Sequence, residues 1–435
     1  MGLEPRLERR YEKLVAAHSN CTHQLAAGVK ALFDGTESAS HAQALWRFLS
    51  NDQVSPECLA RPLLAVAHQS VRDDCDGFAL CVHDWSRINY STHTGKLDRK
   101  QMTHDTDVGY ELQSSLLVSD RDGLPLVAPV QNWVTSEGVW QTRSEGLQAD
   151  DQTHLDELTG RMGWLEDQGF ALPLVHIIDR EADSAGHWRE WDAAGRRCVV
   201  RAKAGSHVRF GHRDCTLSSV AAGLEFERTR EVDCKGRRGV QWVASAEVEV
   251  TRPASPKRKD AQGRRVSPIP GEPLKVRLVV SRILDAEGGA IAEWYLLTNV
   301  EKSVAAGRVV LWYYFRWQIE SFFKLLKAAG HQLESWEQET GLALFKRLLI
   351  ATQSCVLAWR LMRETGEYAQ RTKEFLVRLS GRQTKRTRPV TAPALLDGLF
   401  KLFTLLETLE EYSIEELRAF ADFAFPRKFG VRGET

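Results

Sequence analysis

The sequence contains no CxxC pair and no cysteine–histidine pattern of zinc-binding spacing, although it holds eight cysteines. A zinc finger and a dithiol redox motif are thereby excluded. Scattered thiols of this kind read as small buried hydrophobes in a reducing compartment. The chain also lacks a surplus of charge, since Lys+Arg and Asp+Glu both number 58. DNA-binding proteins are usually basic, so the balance argues mildly against that class. No signal peptide and no uninterrupted apolar run long enough to cross a bilayer is visible, so a cytoplasmic protein without a membrane partner is expected. No internal repeat is visible either.

What the overall balance hides is segregation. Residues 252–265 carry Arg252, Lys257, Arg258, Lys259, Arg264 and Arg265 against one acid, and residues 371–388 carry seven basic residues against Glu374. The segment from Glu407 to Asp422 is acidic. Local patches, not net charge, set a phosphate-binding field. A chain of 435 residues has room for two or three domains, each with a core of its own.

Periodicity divides the chain. Residues 1–72 read as helices, with apolar stripes at Leu7, Tyr11, Leu14 and Val15, at Leu25, Val29 and Leu32, and at Leu45, Phe48 and Leu49. Arg6, Arg9 and Arg10 near the start would suit DNA, and a packing or dimerisation bundle fits the same pattern. From residue 73 the pattern changes. Phe78–Val82 is a nearly continuous apolar run that predicts a buried strand ending at His83–Asp84. Residues 110–118 and 124–133 predict a hairpin joined through Ser119–Gly123. A helix over 151–168 precedes a second buried strand, Leu172–Ile178, which also runs into an aspartate, Asp179. A helix from about Ala182 to Trp191 and a strand at Cys198–Ala202 follow. Strand, hairpin, helix, strand, helix, strand is the order of a ribonuclease H-like core. Residues 204–293 switch to a period of two and read as an all-β insertion, interrupted by the basic stretch 252–273. The helical period returns at Ala305 and holds to about Glu364, so 294–366 reads as the second part of the core. Gly381–Pro389 reads as a basic linker, and helices near 391–411 and 413–425 close a C-terminal helical region, 367–435. The fold class expected is therefore α/β, with helical regions at both ends.

The most informative stretch is YYFRWQIESFFKLLK, from Tyr313 to Lys327. Tyr313, Arg316, Glu320, Lys324 and Lys327 follow at helical steps, which predicts one helix with all five on one face. One carboxylate would then stand among three cations and a phenol. A carboxylate that holds a metal, beside cations that grip phosphates, suits phosphoryl transfer on DNA. An exposed helix with Arg316–Glu320 and Glu320–Lys324 pairs, each worth a few tenths of a kcal/mol, fits the spacing as well. If the two buried strands are neighbours, Asp84 and Asp179 project to one point. Three carboxylates together repel one another and call for a cation between them. Hard oxygen ligands imply Mg²⁺ or Mn²⁺, and two such ions can activate a hydroxyl and stabilise a leaving oxygen.

These segments resemble the insertion sequence 4 family of DDE transposases, which includes the transposon-five enzyme. The spacing of Tyr313, Arg316, Glu320 and Lys327 matches its YREK motif. HDWSRINYSTH around Asp84 is similar to its first-aspartate motif, and IIDREADS around Asp179 is a near-complete copy of its second. VVRAK at Val199–Lys203 and WYLLT at Trp294–Thr298 also match, so the resemblance covers about 77–365. The N-terminal part is only loosely similar, and nothing beyond 366 resembles the family. The resemblance implies a cut-and-paste transposase that binds terminal inverted repeats, pairs them in a homodimer, and joins the cut 3′-end to target DNA. It implies a place at the bacterial nucleoid, Asp84, Asp179 and Glu320 as ligands of two Mg²⁺ or Mn²⁺ ions, and second-strand cleavage through a hairpin. Tyr313, Arg316, Lys324, Lys327 and Arg201 would contact phosphates. Trp294 would fill a pocket for a flipped base, or else be a core strand residue. Arg180, Glu181 and Asp183 would orient the site or cap the next helix, with a structural role favoured for Asp183. A ribonuclease H-like nuclease that cuts without joining, and an inactive DNA-binding relic, are the rival readings; the flanking cations disfavour a glycosidase.

Overall fold

The computed structural model describes residues 4–20, 38–234, 236–255, 264, 266–382 and 390–424. Three helices come first: α1 (Pro5–Asn20), α2 (Ser38–Leu49) and α3 (Pro56–Asp74). Tyr11, Leu14, Val15, Leu45, Phe48 and Leu49 are buried as their stripes require. The stripe Leu25, Val29 and Leu32 lies outside the described residues. Ser55 accepts from Cys58 N at 3.3 Å and Pro56 opens α3, a hydroxyl cap followed by a residue whose φ is preset for the helix.

The strands β1 (Ala79–Asn89), β2 (Lys100–Gln101), β3 (Val108–Ser119), β4 (Pro125–Val134), β5 (Val139–Gln141) and β6 (Leu147–Gln148) follow. Then come α4 (His154–Glu166), β7 (Leu174–Ile178), α5 (Ala185–Ala193) and β8 (Arg197–Ala202). β1 pairs antiparallel with β3 and parallel with β7, and β7 pairs parallel with β8. Ala79–Val82 and all of β7 are buried, as apolar runs covered on both faces must be. β7 ends one residue before Asp179. β1 does not end at Asp84, contrary to the sequence reading. Its pairing with β7 stops at Val82, but its pairing with β3 continues to Asn89. Asp84 therefore sits inside a strand, opposite Ser114, at the notch where β7 has run out.

The next elements are β9 (His207–Phe210), β10 (Arg213–Thr216), α6 (Leu217–Ala222), β11 (Glu227–Cys234), β12 (Arg237–Val250), β13 (Leu274–Leu284) and β14 (Ala290–Thr298). They do not build a separate sheet. β14 pairs antiparallel with β8, and one 14-stranded sheet runs β10-β9-β12-β13-β14-β8-β7-β1-β3-β4-β5-β6, with β11 paired to β12 and β2 to β3 beside that path. Trp294–Thr298 is buried throughout, so β14 is an interior strand that covers what would be the open edge of β8. Of the basic stretch 252–273, residues 256–263 and 265 lie outside the described residues.

The helices α7 (Ala306–Tyr314), α8 (Trp317–Leu326), α9 (Gly341–Arg363), α10 (Glu367–Ser380), α11 (Ala392–Glu411) and α12 (Ile414–Ala424) complete the chain. Most of the basic linker, 383–389, lies outside the described residues. Alternate residues of the sheet feed two cores. Ile177, Val199, Leu296 and Val279 pack with α7, α8 and α9, while Ile178, Val200, Leu297 and Val280 pack with α4 and α5. α9 is long and apolar enough to cross a membrane by length and composition, but 78% of that window is buried inside the fold. Its buried Lys346 donates to the carbonyls of Leu49 and Asn51 at 3.0 Å, which ties the end of α2 to the interior.

Residues 313–327 are not one helix. The chain tightens between α7 and α8, where Arg316 N donates to Tyr313 O, and Gln318 N to Phe315 O, in three-residue steps. A distant turn packs against this joint. The tight turn at Gly123 (φ 72°) approaches it so closely that a Cβ there would lie 2.2 Å from the Phe315 ring, and Gln318 Nε2 donates to Gly123 O at 2.8 Å.

Candidate active site

Three elements far apart in sequence meet at the notch between β1 and β7. β1 delivers Asp84, the turn after β7 delivers Asp179, and α8 delivers Glu320. Each aspartate is anchored by its own neighbour: Asp84 Oδ1 accepts from Trp85 N at 2.9 Å and Asp179 Oδ1 from Arg180 N at 2.6 Å. Local bonds of this kind are a common use of aspartate at turns and caps. Here they leave the second oxygen of each carboxylate facing the notch.

One guanidinium joins all three acids. Arg316 Nη1 donates to Asp84 Oδ2 at 2.9 Å, and Nη2 donates to Glu320 Oε1 at 2.6 Å and lies 3.8 Å from Asp179 Oδ2. The Arg316 side chain is 10% exposed. Burial opposes its charge, but Tyr313 and the three carboxylates outweigh that and hold its pKa above the ordinary value. Burial raises the Asp84 carboxyl above its usual range, against the pull of Arg316. Tyr313 Oη donates to Asp179 Oδ1 at 3.2 Å, and Arg201 Nη1 stands 4.0 Å from the same oxygen. Burial, then Asp179, pushes the Tyr313 phenol upward, so it stays a proton donor.

Not every residue of the Tyr313–Lys327 stretch reaches this point. Lys324 is exposed and, among the described residues, makes no ion pair. Lys327 caps the end of α8, donates to Arg87 O and lies 3.3 Å from Glu334 Oε1. Glu320 is thus paired with one cation rather than surrounded by three. Trp294 is 7% exposed, and its ring meets those of Tyr313 and Tyr314 at 5.5 and 6.5 Å. It packs against Tyr313 from within the core. Asp183 accepts from Ser206 Oγ at 2.5 Å and Lys203 N at 3.2 Å and pairs with Arg252, which binds the DREAD turn to the segments after β8 and β12.

The donor set is chemically right for a hard divalent cation: three carboxylates gathered around one guanidinium. Their spacing is set by the guanidinium instead. Among the described residues the group that brings three ligand atoms within 4.8 Å of one another is Cys81, His83 and His176, not the acids. That group faces the opposite side of the sheet. It is already closed as a hydrogen-bond chain, with His83 Nε2 to His176 Nδ1 at 2.9 Å, His176 Nε2 to Glu166 at 3.0 Å and His83 Nδ1 to Ser115 Oγ at 2.9 Å.

Sequence reasoning missed this chain, since histidines on two strands carry no spacing signal. It also missed a groove of about 1420 Å³ beside Asp179, lined among others by Trp85, His154, Lys203 and Arg252. The Trp85 and His154 rings lie 4.4 Å apart there, and a bond to Glu111 raises the His154 pKa.

No protein-family model and no curated protein matches the chain. A solved structure that matches is the cryo-EM structure of the piggyBac transposase synaptic complex with hairpin DNA, at 10% identity over 99% of this chain and 78% of that one. The TM-score is 0.38, too low to establish a common fold.

Proposed function

We propose that this chain is a DDE transposase of the insertion sequence 4 kind, acting on the ends of its own mobile element. The observation that carries the reading is the convergence of Asp84, Asp179 and Glu320 on one point from three separate elements. The motifs around each acid, and the strand order β4-β3-β1-β7-β8 with its parallel half, support a ribonuclease H-like core. In this reading the three carboxylates hold two Mg²⁺ or Mn²⁺ ions, which would supply an activated hydroxyl and stabilise the leaving oxygen. The protein's own part is positional. Tyr313 orients Asp179, Trp294 braces Tyr313, and Arg201 and Lys324 meet the phosphates on either side. DNA ends enter across the notch and are paired by a second copy of the chain.

The test uses a duplex carrying the inverted repeat that flanks the coding sequence. The wild-type protein nicks it with Mg²⁺ and joins the 3′-end to a target plasmid. Nicking without joining of a pre-cut end would instead make the protein a nuclease. Binding of the end with no cleavage in Mn²⁺ would make it an inactive DNA-binding relic.

A further inference from the structure

Asp84, Asp179 and Glu320 share the single buried guanidinium of Arg316, and the two oxygens it grips hardest are those that face the notch. Mg²⁺ coordinates oxygen ligands at about 2.0–2.1 Å. Asp84 and Glu320, which would hold such an ion, already turn Oδ2 and Oε1 to Nη1 and Nη2 of Arg316 at 2.9 and 2.6 Å, so the ion would compete with the guanidinium for the same oxygens. We infer that Arg316 is a resident cation of the metal-free site, holding the carboxylates in register until a divalent ion displaces it. This rests on the metal-dependent reading above.

Physical chemistry favours such a placeholder. Three carboxylates at one partly buried point repel one another, and an unpaired buried charge is costly. A guanidinium presents several donors in one plane, so it can bridge acids that an ammonium cannot. Its position allows the exchange. Arg316 lies at the joint between α7 and α8, outside the regular bonding of either helix, and the half-exposed Trp317 ring stands beside it, 5.9 Å from the guanidinium carbon. Displacement would free a positive charge at the rim of the site at the moment the ions arrive. The phosphate grip of Arg316 and the loading of metal would then be coupled events.

The experiment needs no DNA. Full-length wild type is treated with phenylglyoxal, with and without Mg²⁺, and modification of Arg316 is followed by mass spectrometry of its peptide. Mg²⁺ should accelerate modification of Arg316 and leave that of Arg347, which is fully buried, unchanged. In parallel, Mn²⁺ binding is read from the electron paramagnetic resonance signal of the free ion. Arg316→Gln should bind Mn²⁺ at least about tenfold more tightly than wild type, since no cation has to leave and none repels the newcomer. Without metal the variant should melt lower, and Mn²⁺ should restore it. Equal Mn²⁺ affinity in the two proteins, or slower modification of Arg316 in Mg²⁺, would overturn the inference while leaving the metal site standing. No Mn²⁺ bound by either protein up to millimolar concentration would overturn the metal reading itself, and the inference with it.

Discussion

Trp294 lies edge-on beneath Tyr313, their ring centroids 5.5 Å apart, and Tyr313 in turn reaches Asp179. The indole thus acts on the site through another side chain. Trp294→Ala should cost roughly 3–5 kcal/mol of stability by leaving a cavity, and every reaction step should fall with the loss of folded protein. Trp294→Phe should restore most of the stability. Denaturant unfolding alongside time-resolved cleavage checks this. Native stability with a defect confined to hairpin formation would return Trp294 to the base-binding role.

The three acids should separate binding from chemistry. Asp84→Asn, Asp179→Asn and Glu320→Gln keep the shape of each side chain and remove a charge. Each should lower nicking by about a thousandfold or more, a loss of roughly 4 kcal/mol of transition-state stabilisation. Gel-shift affinity for the inverted repeat should change little. A variant that nicks like wild type does not carry a metal ligand at that position.

Lys324 and Lys327 should behave differently although both belong to the same stretch. Lys324 is exposed, and its replacement by Ala should reduce the slope of log affinity against log salt by about one. Lys327 is engaged with Glu334 and the Arg87 carbonyl at the end of α8. Its replacement should loosen that end, seen as faster amide exchange at 324–327, with a smaller change in salt slope. Equal slopes for the two variants would place both ammonium groups on phosphate.

Acid should destabilise the fold through buried imidazoles. Burial, helped by Arg347, pushes the His331 pKa from 6.5 down to about 3, and burial also lowers His176. Folded, both stay neutral, whereas the unfolded chain takes up protons below about 6.5. The stability they contribute is full above that pH and is lost as pH falls, for His331 toward about 3 and for His176 through its own lowered folded value. His154 runs the other way: its raised pKa contributes stability below about 6.5 that fades as pH rises through the folded value. Unfolding free energy should therefore drop from pH 7 to pH 5. His331→Gln should flatten that drop by up to about 1.4 kcal/mol per pH unit. An unchanged slope would exclude His331 as its source.

Much of this arrangement was legible along the chain, and the rest has definite causes. β7 and Asp179 were readable because a doubly covered strand is a short apolar run and the turn after it is polar. The far half of β1 was not, because past Asp84 the strand is held from one side only. Its residues through Asn89 then lose the continuous burial that marks an interior strand. Tyr313, Arg316 and Glu320 do meet at one site, yet they are split between two helices at a joint packed against Gly123, about 190 residues earlier in the chain. The period of two in 240–250 and 274–283 announced strands but not their partners, so the single sheet through β14 could not be foreseen. Arg316 was expected to face phosphates. Its hold on all three acids emerges only when the acids are brought together.

The order in which the ribosome delivers the site has a consequence of its own. Asp84 leaves it 232 residues before Arg316, and Asp179 leaves it 134 residues before Tyr313. At ordinary elongation rates, the second gap is on the order of ten seconds. During that interval β1 and β7 can already pair, with two aspartates at the notch, Arg201 beside Asp179 alone, and Arg316 not yet made to bridge them. A nascent chain of that length would hold its own charges apart by keeping the notch splayed. The α7–α8 segment would close it last, like a keystone, so a fragment ending before residue 300 should lack an ordered notch even where its strands have formed.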